Sequence, residues 1–349
     1  MAAGKGLQLI IPGLLGPWPE AAVNPAFPLP RAPALTRLLN RATARPASRG
    51  FEATLCHLFG LPLPTDQDLP VAALTRLADG GQADERRYWL RADPVHLRAD
   101  LRQVLLVDAR HLAIQASEAQ ALVDECNRFF ADEEWRLEAR HPHRWYLGLR
   151  TKPELRTTPL ADAIGKSIDP LLPMGLDRRR WHGFLTEIQM LLHASPVNHA
   201  REAQDRPAIN GVWLWGGGAL PATAQAPAAG IYADEPLCRG LARLAGTAIH
   251  PVPANADEWL GAASAEAESL VVLDQARFDR ADDEPERWQA HLEALEHNWL
   301  TPCHTLLKRR KIAYFTLDPC TGTVYHISAR QSRYFWRGQR PLPAFLVNF

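Results

Sequence analysis

The sequence is poor in the features by which many function classes are recognised. Cysteine is scarce: five in 349 residues, at positions 56, 126, 238, 303 and 320. Their odd number, wide spacing and lack of any Cys-x-x-Cys exclude a disulfide framework or zinc ribbon and predict reduced thiols. Net charge is also missing, because 39 Lys and Arg balance 39 Asp and Glu. Attraction of the whole chain to nucleic acid is therefore not expected. No apolar run approaches the ~20 residues of a membrane helix, so no membrane partner is expected. The opening run "GLQLIIPGLLGPW" is broken by Pro12 and has no clean small-residue cleavage site. It does not read as a secretory signal, and a cytoplasmic location is expected. No Gly-x-Ser-x-Gly elbow occurs, which leaves a hydrolase serine without a candidate.

What is present is a soluble composition rich in proline (29) and tryptophan (11), long enough for two domains. Leu7, Leu9, Ile10 and Ile11 form a short apolar strand that ends at Pro12-Gly13. Helices are predicted over "ALTRLLNRATA", "GFEATLCHLFGL" and "VAALTRLADGG". The middle alternates: "YWLRADPVHLRADLRQVLLV" predicts paired strands, "SEAQALVDECNRFFADE" a helix capped by Ser117, and "WRLEARH" with "RWYLGLR" a hairpin closed at His141-Pro142-His143. Helical spacing of Trp181, Leu185, Ile188 and Leu192 predicts a helix over 177–195. From residue 209 the pattern reads as α/β again: strands at "INGVWLWGGG" and "SLVVLD", helices at "EPLCRGLARLAG" and "EPERWQAHLEALEHNWL", and a final strand pair.

Several groups carry candidate chemistry. Gly216, Gly217 and Gly218 follow a strand and would let backbone N–H groups approach a phosphate, but no Lys-Ser/Thr of a P-loop follows them. Asp279, Asp282 and Asp283 offer carboxylates for a divalent ion. Their placement before Pro285 is equally that of a helix start. His141, His143, His193, His199 and His250 have no partner at metal-ligand spacing. Asn198 and Arg201 lie three apart after a helix ends at Pro196, where an arginine suits a carboxylate or phosphate, or a structural ion pair.

The stretch from His193 through Gly218 resembles a block of the archaeal-type, cofactor-independent phosphoglycerate mutases of the alkaline phosphatase superfamily. "DPVHLRADL" with Arg98, "RWYLGL" with Arg144 and "PLCRGLARLAG" with Arg239 are similar to further blocks of that family. The sequence also resembles a family of uncharacterised bacterial proteins labelled as RpfE-type regulatory proteins. The resemblance implies an α/β fold: an alkaline phosphatase-like core with a mostly parallel sheet between helices, at 1–80 and 205–349, and an inserted α+β subdomain at 81–204. It implies a cleft between them lined by Arg98, Arg144, Asn198, Arg201, Asn210 and Gly216 to Gly218, with Arg239 near it.

The departures matter as much. The family's first strand ends in a metal-binding aspartate, where this sequence has Pro12. Its nucleophilic serine corresponds to Phe51, which cannot attack phosphorus. Its histidine-rich metal loop corresponds to the segment from Asp274 to Trp288, and its last ligands to the neighbourhood of Asp318. The expectation is a regulatory or sensing protein without metal cofactor or phosphoryl transfer, binding a small phosphorylated or carboxylated metabolite. One alternative is an active mutase or phosphatase holding Mn2+ or Zn2+ on Asp274, Asp279, Asp282 and Asp283. Another is a protein-interaction module, favoured if Trp213, Trp215 and Phe51 fill the cleft. The basic aromatic tail at 330–346 is expected to dock on its own core rather than on nucleic acid.

Overall fold

The computed structural model describes residues 5–16, 31–84, 86–100, 103–263, 268–277, 285–334 and 340–346. In chain order these form β1 (Gly6–Ile10), α1 (Pro33–Arg41), β2 (Thr43–Arg49), α2 (Phe51–Leu58), α3 (Val71–Ala78), β3 (Tyr88–Asp100), β4 (Gln103–Asp108) and α4 (Ala116–Phe129). There follow β5 (Trp135–His141), β6 (Arg144–Leu149), β7 (Leu155–Arg156), α5 (Leu160–Ala163), β8 (Met174–Gly175), α6 (Arg178–His193), α7 (Pro196–Glu202) and β9 (Gly211–Ala219). The chain ends with β10 (Gly230–Tyr232), α8 (Pro236–Leu244), α9 (Ala256–Ala262), β11 (Ser269–Val272), α10 (Pro285–Leu295), α11 (Thr301–Lys308), β12 (Tyr314–Asp318) and β13 (Thr321–Ser328). No described helix is long and apolar enough to cross a membrane.

The chain divides into a discontinuous unit, residues 1–61 and 224–349, and an inserted unit, residues 62–223. The boundaries differ from those expected at 80/81 and 204/205. Helix α3 and strand β9 belong to the inserted unit because β9 pairs antiparallel with β3, from Tyr88 opposite Ala219 to Val95 opposite Gly211. The apolar run of "VWLW" is a strand signal in either unit, and periodicity alone does not choose its partner.

The discontinuous unit is built on a six-stranded, mostly parallel sheet in the order β10-β11-β1-β12-β13-β2. Strands β10, β11, β1 and β12 run parallel, so their C-terminal ends share one edge. Strands β13 and β2 extend the sheet antiparallel. Strand β2 was not expected from its sequence, "TARPASR". It is an exposed edge strand, where Pro46 has no ladder hydrogen bond to lose. Leu35, Leu38 and Leu39 of α1 face the core, with the Trp288, Leu292, Leu295, Trp299 stripe. Helix α1 begins at Ala32, which has no capping side chain. Glu296 takes that role, accepting from the backbone N–H groups of Ala34 and of Leu35 (3.0 Å). The tail docks as expected: Leu342 is buried and Phe345 packs against the same core.

The inserted unit is an antiparallel sheet of β3, β4, β5, β6 and β9, covered by helices that include α4 and α6. Its core holds Trp181, Leu185, Ile188 and Leu192, the stripe expected of α6. Helix α4 starts one residue before Ser117: Gln115 is its cap, and the Gln115 N–H donates to Glu118 Oε2 at 2.8 Å. The glutamate three residues on decides the start, as in a capping box.

Candidate functional site

In a sheet of parallel strands, the residues that follow the C-terminal ends gather at one edge, the usual place for chemistry in α/β folds. Ile10 is in register with Val272 of β11 and with Asp318 of β12, and Val271 pairs with Tyr232 of β10. Two residues past those ends stand Pro12, Asp274 and Asp234, followed by Glu235. The Ile11 N–H donates to Asp318 O at 2.9 Å, and Gly13 follows Pro12 with φ of 83°. The turn after β1 is thus a tight backbone turn whose tip carries no donor side chain. Helix α2 reaches the same edge, because Gly50 N–H donates to Cys320 O at 2.9 Å.

Phe51 is the first residue of α2 and is buried. The Arg277 guanidinium, from the short turn after β11, lies 4.4 Å from the centre of its ring and is ion-paired with Glu52. That places a fixed cation on an aromatic face and beside three carboxylates. Glu235 caps α8, accepting from Cys238 N–H at 2.8 Å. Burial pushes its pKa up to about 7; Arg277 opposes the shift and Asp274 adds to it. Burial also raises Asp274, again opposed by Arg277, and lifts Asp318 to about 6 against the Cys320 N–H that it accepts. The thiols here are protonated: burial pushes Cys56 up to about 12, and burial with Glu235 and Asp274 raises Cys238 well above its ordinary value. They are not poised as nucleophiles.

Among the described residues no three His, Cys, Asp or Glu side chains converge as a metal site. Asp279, Asp282 and Asp283 lie outside the described residues. Trp288, matched in sequence to the end of the metal loop, is in the apolar core.

The expected anion-binding residues fall in both units. Arg239 is on α8 of the discontinuous unit, and the others are in the inserted unit. Arg98 is exposed near the end of β3. Arg144 donates to both oxygens of Asp79 (2.8 and 2.7 Å), which also accepts from the Tyr146 hydroxyl at 2.6 Å. Burial alone would raise the Asp79 pKa, but these partners hold it below the usual carboxylate range. Arg201 is wholly buried and donates to Pro207 O (2.9 Å), Glu118 Oε2 (2.9 Å) and Leu112 O (2.5 Å). Asn198 bridges Leu192 O and Ile209 O and accepts from Ile209 N–H, at 2.7 to 2.8 Å. Asn210 pairs with the backbone of Leu97 at 2.6 and 3.0 Å. These bonds tie the unit's own segments together, the structural alternative for Asn198 and Arg201. Asn198 and Asn210 do share the wall of a cavity of about 480 Å3 with His96, His193, Glu202 and Arg206.

The glycines of β9 serve close packing. The Gly216 N–H donates to Thr157 Oγ1 at 3.1 Å and the Gly217 N–H to Asp68 Oδ2 at 3.4 Å. A Cβ on Gly218 would stand 2.6 Å from Pro70 Cα, and one on Gly216 would stand 2.9 Å from Val71 Cβ. Trp213 and Trp215 are buried in the inserted unit, where Trp215 Nε1–H donates to Asp93 Oδ2 at 2.7 Å. Asp93 also accepts from Arg91 at 2.6 and 2.9 Å. This pair was missed in the sequence, although Arg-x-Asp on a strand directs both side chains to one face. Arg277 was missed as well, and no motif announces it.

No family model matches the chain. It is 28% identical over 137 residues, 38% of its length, to a 2,3-bisphosphoglycerate-independent phosphoglycerate mutase of Methanosarcina mazei. It is 27% identical over 199 residues, 53% of its length, to the protein of that name from Methanosarcina acetivorans. It is weakly homologous to cofactor-independent phosphoglycerate mutases. The aligned segments cover 34% and 50% of those relatives, so the chain spans at most about half the length of the curated proteins it matches. Solved structures similar to it include a Pyrococcus horikoshii protein (TM-score 0.49, 14% identity, 94% of this chain and 88% of that one). The cofactor-independent phosphoglycerate mutase of Thermoplasma acidophilum is also similar (TM-score 0.40, 15% identity, 94% and 90%).

Proposed function

We propose that this protein is a phosphoglycerate mutase-like, alkaline phosphatase-type scaffold that no longer transfers phosphoryl groups and acts instead in regulation or metabolite sensing. The observation that carries this reading is the Arg277 guanidinium on the Phe51 ring and on Glu52. By the resemblance in sequence, Phe51 stands at the nucleophile and Pro12 at a metal ligand. Neither offers a donor atom to a metal, and the guanidinium already supplies positive charge to the carboxylates that remain. The residues described at this edge therefore do not fit the metal pair of a phosphatase, and no catalytic step is derived through one. The ligand-sized cavity lined by His96, His193, Asn198, Arg206 and Asn210, with Glu202 and Asp205 on its wall, is the place proposed for a small phosphorylated or carboxylated metabolite.

The test has two parts. Purified protein is assayed with 2- and 3-phosphoglycerate and a chromogenic phosphomonoester in Mn2+ or Zn2+, with metal content measured in parallel. No turnover above buffer is expected. Turnover with stoichiometric metal would restore the enzymatic alternative. Thermal-shift screening against phosphoglycerates and nucleotides then tests sensing; no shift from any of them would remove the metabolite.

A further inference from the structure

The zero net charge of the chain conceals a strong segregation. Residues 31–49 and 301–346 carry thirteen of the 39 Lys and Arg but one of the 39 Asp and Glu, Asp318. That one is buried at the far end of β12. The remainder of the chain is correspondingly acidic. The two basic segments, with 251 residues between them, form one region of the discontinuous unit. Strand β2 pairs with β13 and β13 with β12. Gln331 Nε2 donates to Thr43 Oγ1 at 2.9 Å, Arg41 to Ser332 O at 2.6 Å, and Arg333 to Lys308 O at 3.1 Å. Asn40 closes the tail by bonding to the backbone of Arg340.

Of the twelve cations described in these segments, eleven are exposed. Cations at helix C-terminal turns are favoured by the helix dipole, which accounts for Arg41 on α1 and Lys308 on α11. It does not account for Arg45 on the edge strand or Arg330 after β13; Arg333 donates to the last carbonyl of α11. Arg41 Nη1 lies 3.0 Å from His304 Nε2. Burial, then Lys308, Arg41 and Arg37, hold that histidine down to about 4, so it accepts as a neutral ring. Exposed cations gathered this densely repel one another and oppose folding unless an anion answers them.

We propose that this basic face, formed by α1, β2, the end of α11 and the turn after β13, binds the phosphodiester backbone of a nucleic acid without reading its sequence. Eleven of the thirteen cations are arginine, whose planar fork matches phosphate oxygens through two bonds. Strand β2 alone is seven residues long, about 20 Å, which spans roughly six phosphates of one strand. Membrane lipid would present phosphate too, but among the described residues the large exposed apolar side chains, Phe129, Met174, Leu176 and Met190, are all in the inserted unit. Among the described residues the basic face thus has no apolar wedge of the kind that anchors an interfacial element in lipid.

The test is fluorescence anisotropy of the full chain with labelled 20-mer duplex and single-stranded oligonucleotides of unrelated sequence, at 50 to 200 mM salt. Neutralising about four phosphates predicts a log–log salt slope near −3.6 on duplex and about a 100-fold loss of affinity across that range. Arg45→Ala/Arg309→Ala/Arg330→Ala should flatten the slope by about 2 to 3 and weaken binding at least ~10-fold at 50 mM salt. Arg128→Ala/Arg178→Ala/Arg179→Ala, also exposed but in the inserted unit, should bind as the parent does. No anisotropy change at 50 mM salt, equal loss in the two triple variants, or an unchanged slope in the first would overturn the proposal. So would tighter binding to phosphatidylserine vesicles or polyglutamate than to the oligonucleotides. Thermal melting of both variants accompanies the titrations; loss of folding in the first leaves the parent's salt slope and competitor ranking to decide.

Discussion

The two units treat buried charge in opposite ways. In the inserted unit, cations and carboxylates meet pairwise with short, multiple bonds: Arg91 with Asp93, Arg144 with Asp79, Arg201 with Glu118, Arg76 with Glu138. In the discontinuous unit charge is sorted by place. Carboxylates collect at the C-terminal edge of the parallel strands around Arg277, while most of the cations of residues 31–49 and 301–346 lie exposed. Matched pairs fix a fold, because each partner's desolvation is offset locally. Sorted charge leaves fields that only something outside the pair can satisfy, and that is where function is expected.

The largest effect should come from breaking a matched pair. Asp93→Ala leaves Arg91 and the Trp215 Nε1–H buried without their acceptor, and should lower unfolding stability by about 3–5 kcal/mol in urea titrations. A loss below ~1 kcal/mol would mean that the pair is not what holds β3 to β9. Gly218→Ala, whose Cβ would meet Pro70 Cα at 2.6 Å, should follow at about 1–3 kcal/mol, because backbone rather than a flexible side chain must yield.

How far the sequence foretold this depends on the kind of signal. Helix stripes were legible because apolar spacing states which face is buried, as for Trp288 to Trp299 and Trp181 to Leu192. The edge strand β2 was not, since Arg45 and Pro46 carry no burial pattern when both faces meet solvent. Pro12 and Phe51 stood out in sequence through resemblance alone, and the structure adds that the first follows β1 in a tight turn and the second is a buried ring. Arg277 did not stand out, because its position over Phe51 joins residues 226 apart in a chain without a spacing rule to connect them. The roles of Asn198 and Arg201 were open in sequence for a plain reason: a buried ion pair and a ligand clamp require the same residue types.

Two carboxyls, Asp79 of the inserted unit and Glu235 of the discontinuous unit, should give opposite pH responses. Asp79 is held below its ordinary range by Arg144 and Tyr146, so its contribution is present above the unfolded value of 3.8 and lost as pH falls through the lower folded value. Glu235 is raised from 4.5 to about 7. Its contribution is complete below 4.5 and lost as pH rises through about 7. Glu235→Gln should therefore flatten the decline in melting temperature between pH 5 and 8 while leaving acid unfolding in place. An unchanged decline would assign it to other groups.

The smallest and sharpest test concerns Arg277. Arg277→Leu removes the cation that opposes the upward shifts of Glu235 and Asp274, so both carboxyls should protonate at still higher pH. Loss of the Glu52 ion pair and the Phe51 contact is common to all pH values, but the variant should lose more stability at pH 8 than at pH 5, by about 1 kcal/mol for each carboxylate left charged. Equal loss at both pH values would make Arg277 a packing residue over Phe51 rather than the counter-ion of that edge. Carboxylates gathered at one sheet edge need a counter-charge, and here Arg277 supplies it from the chain itself.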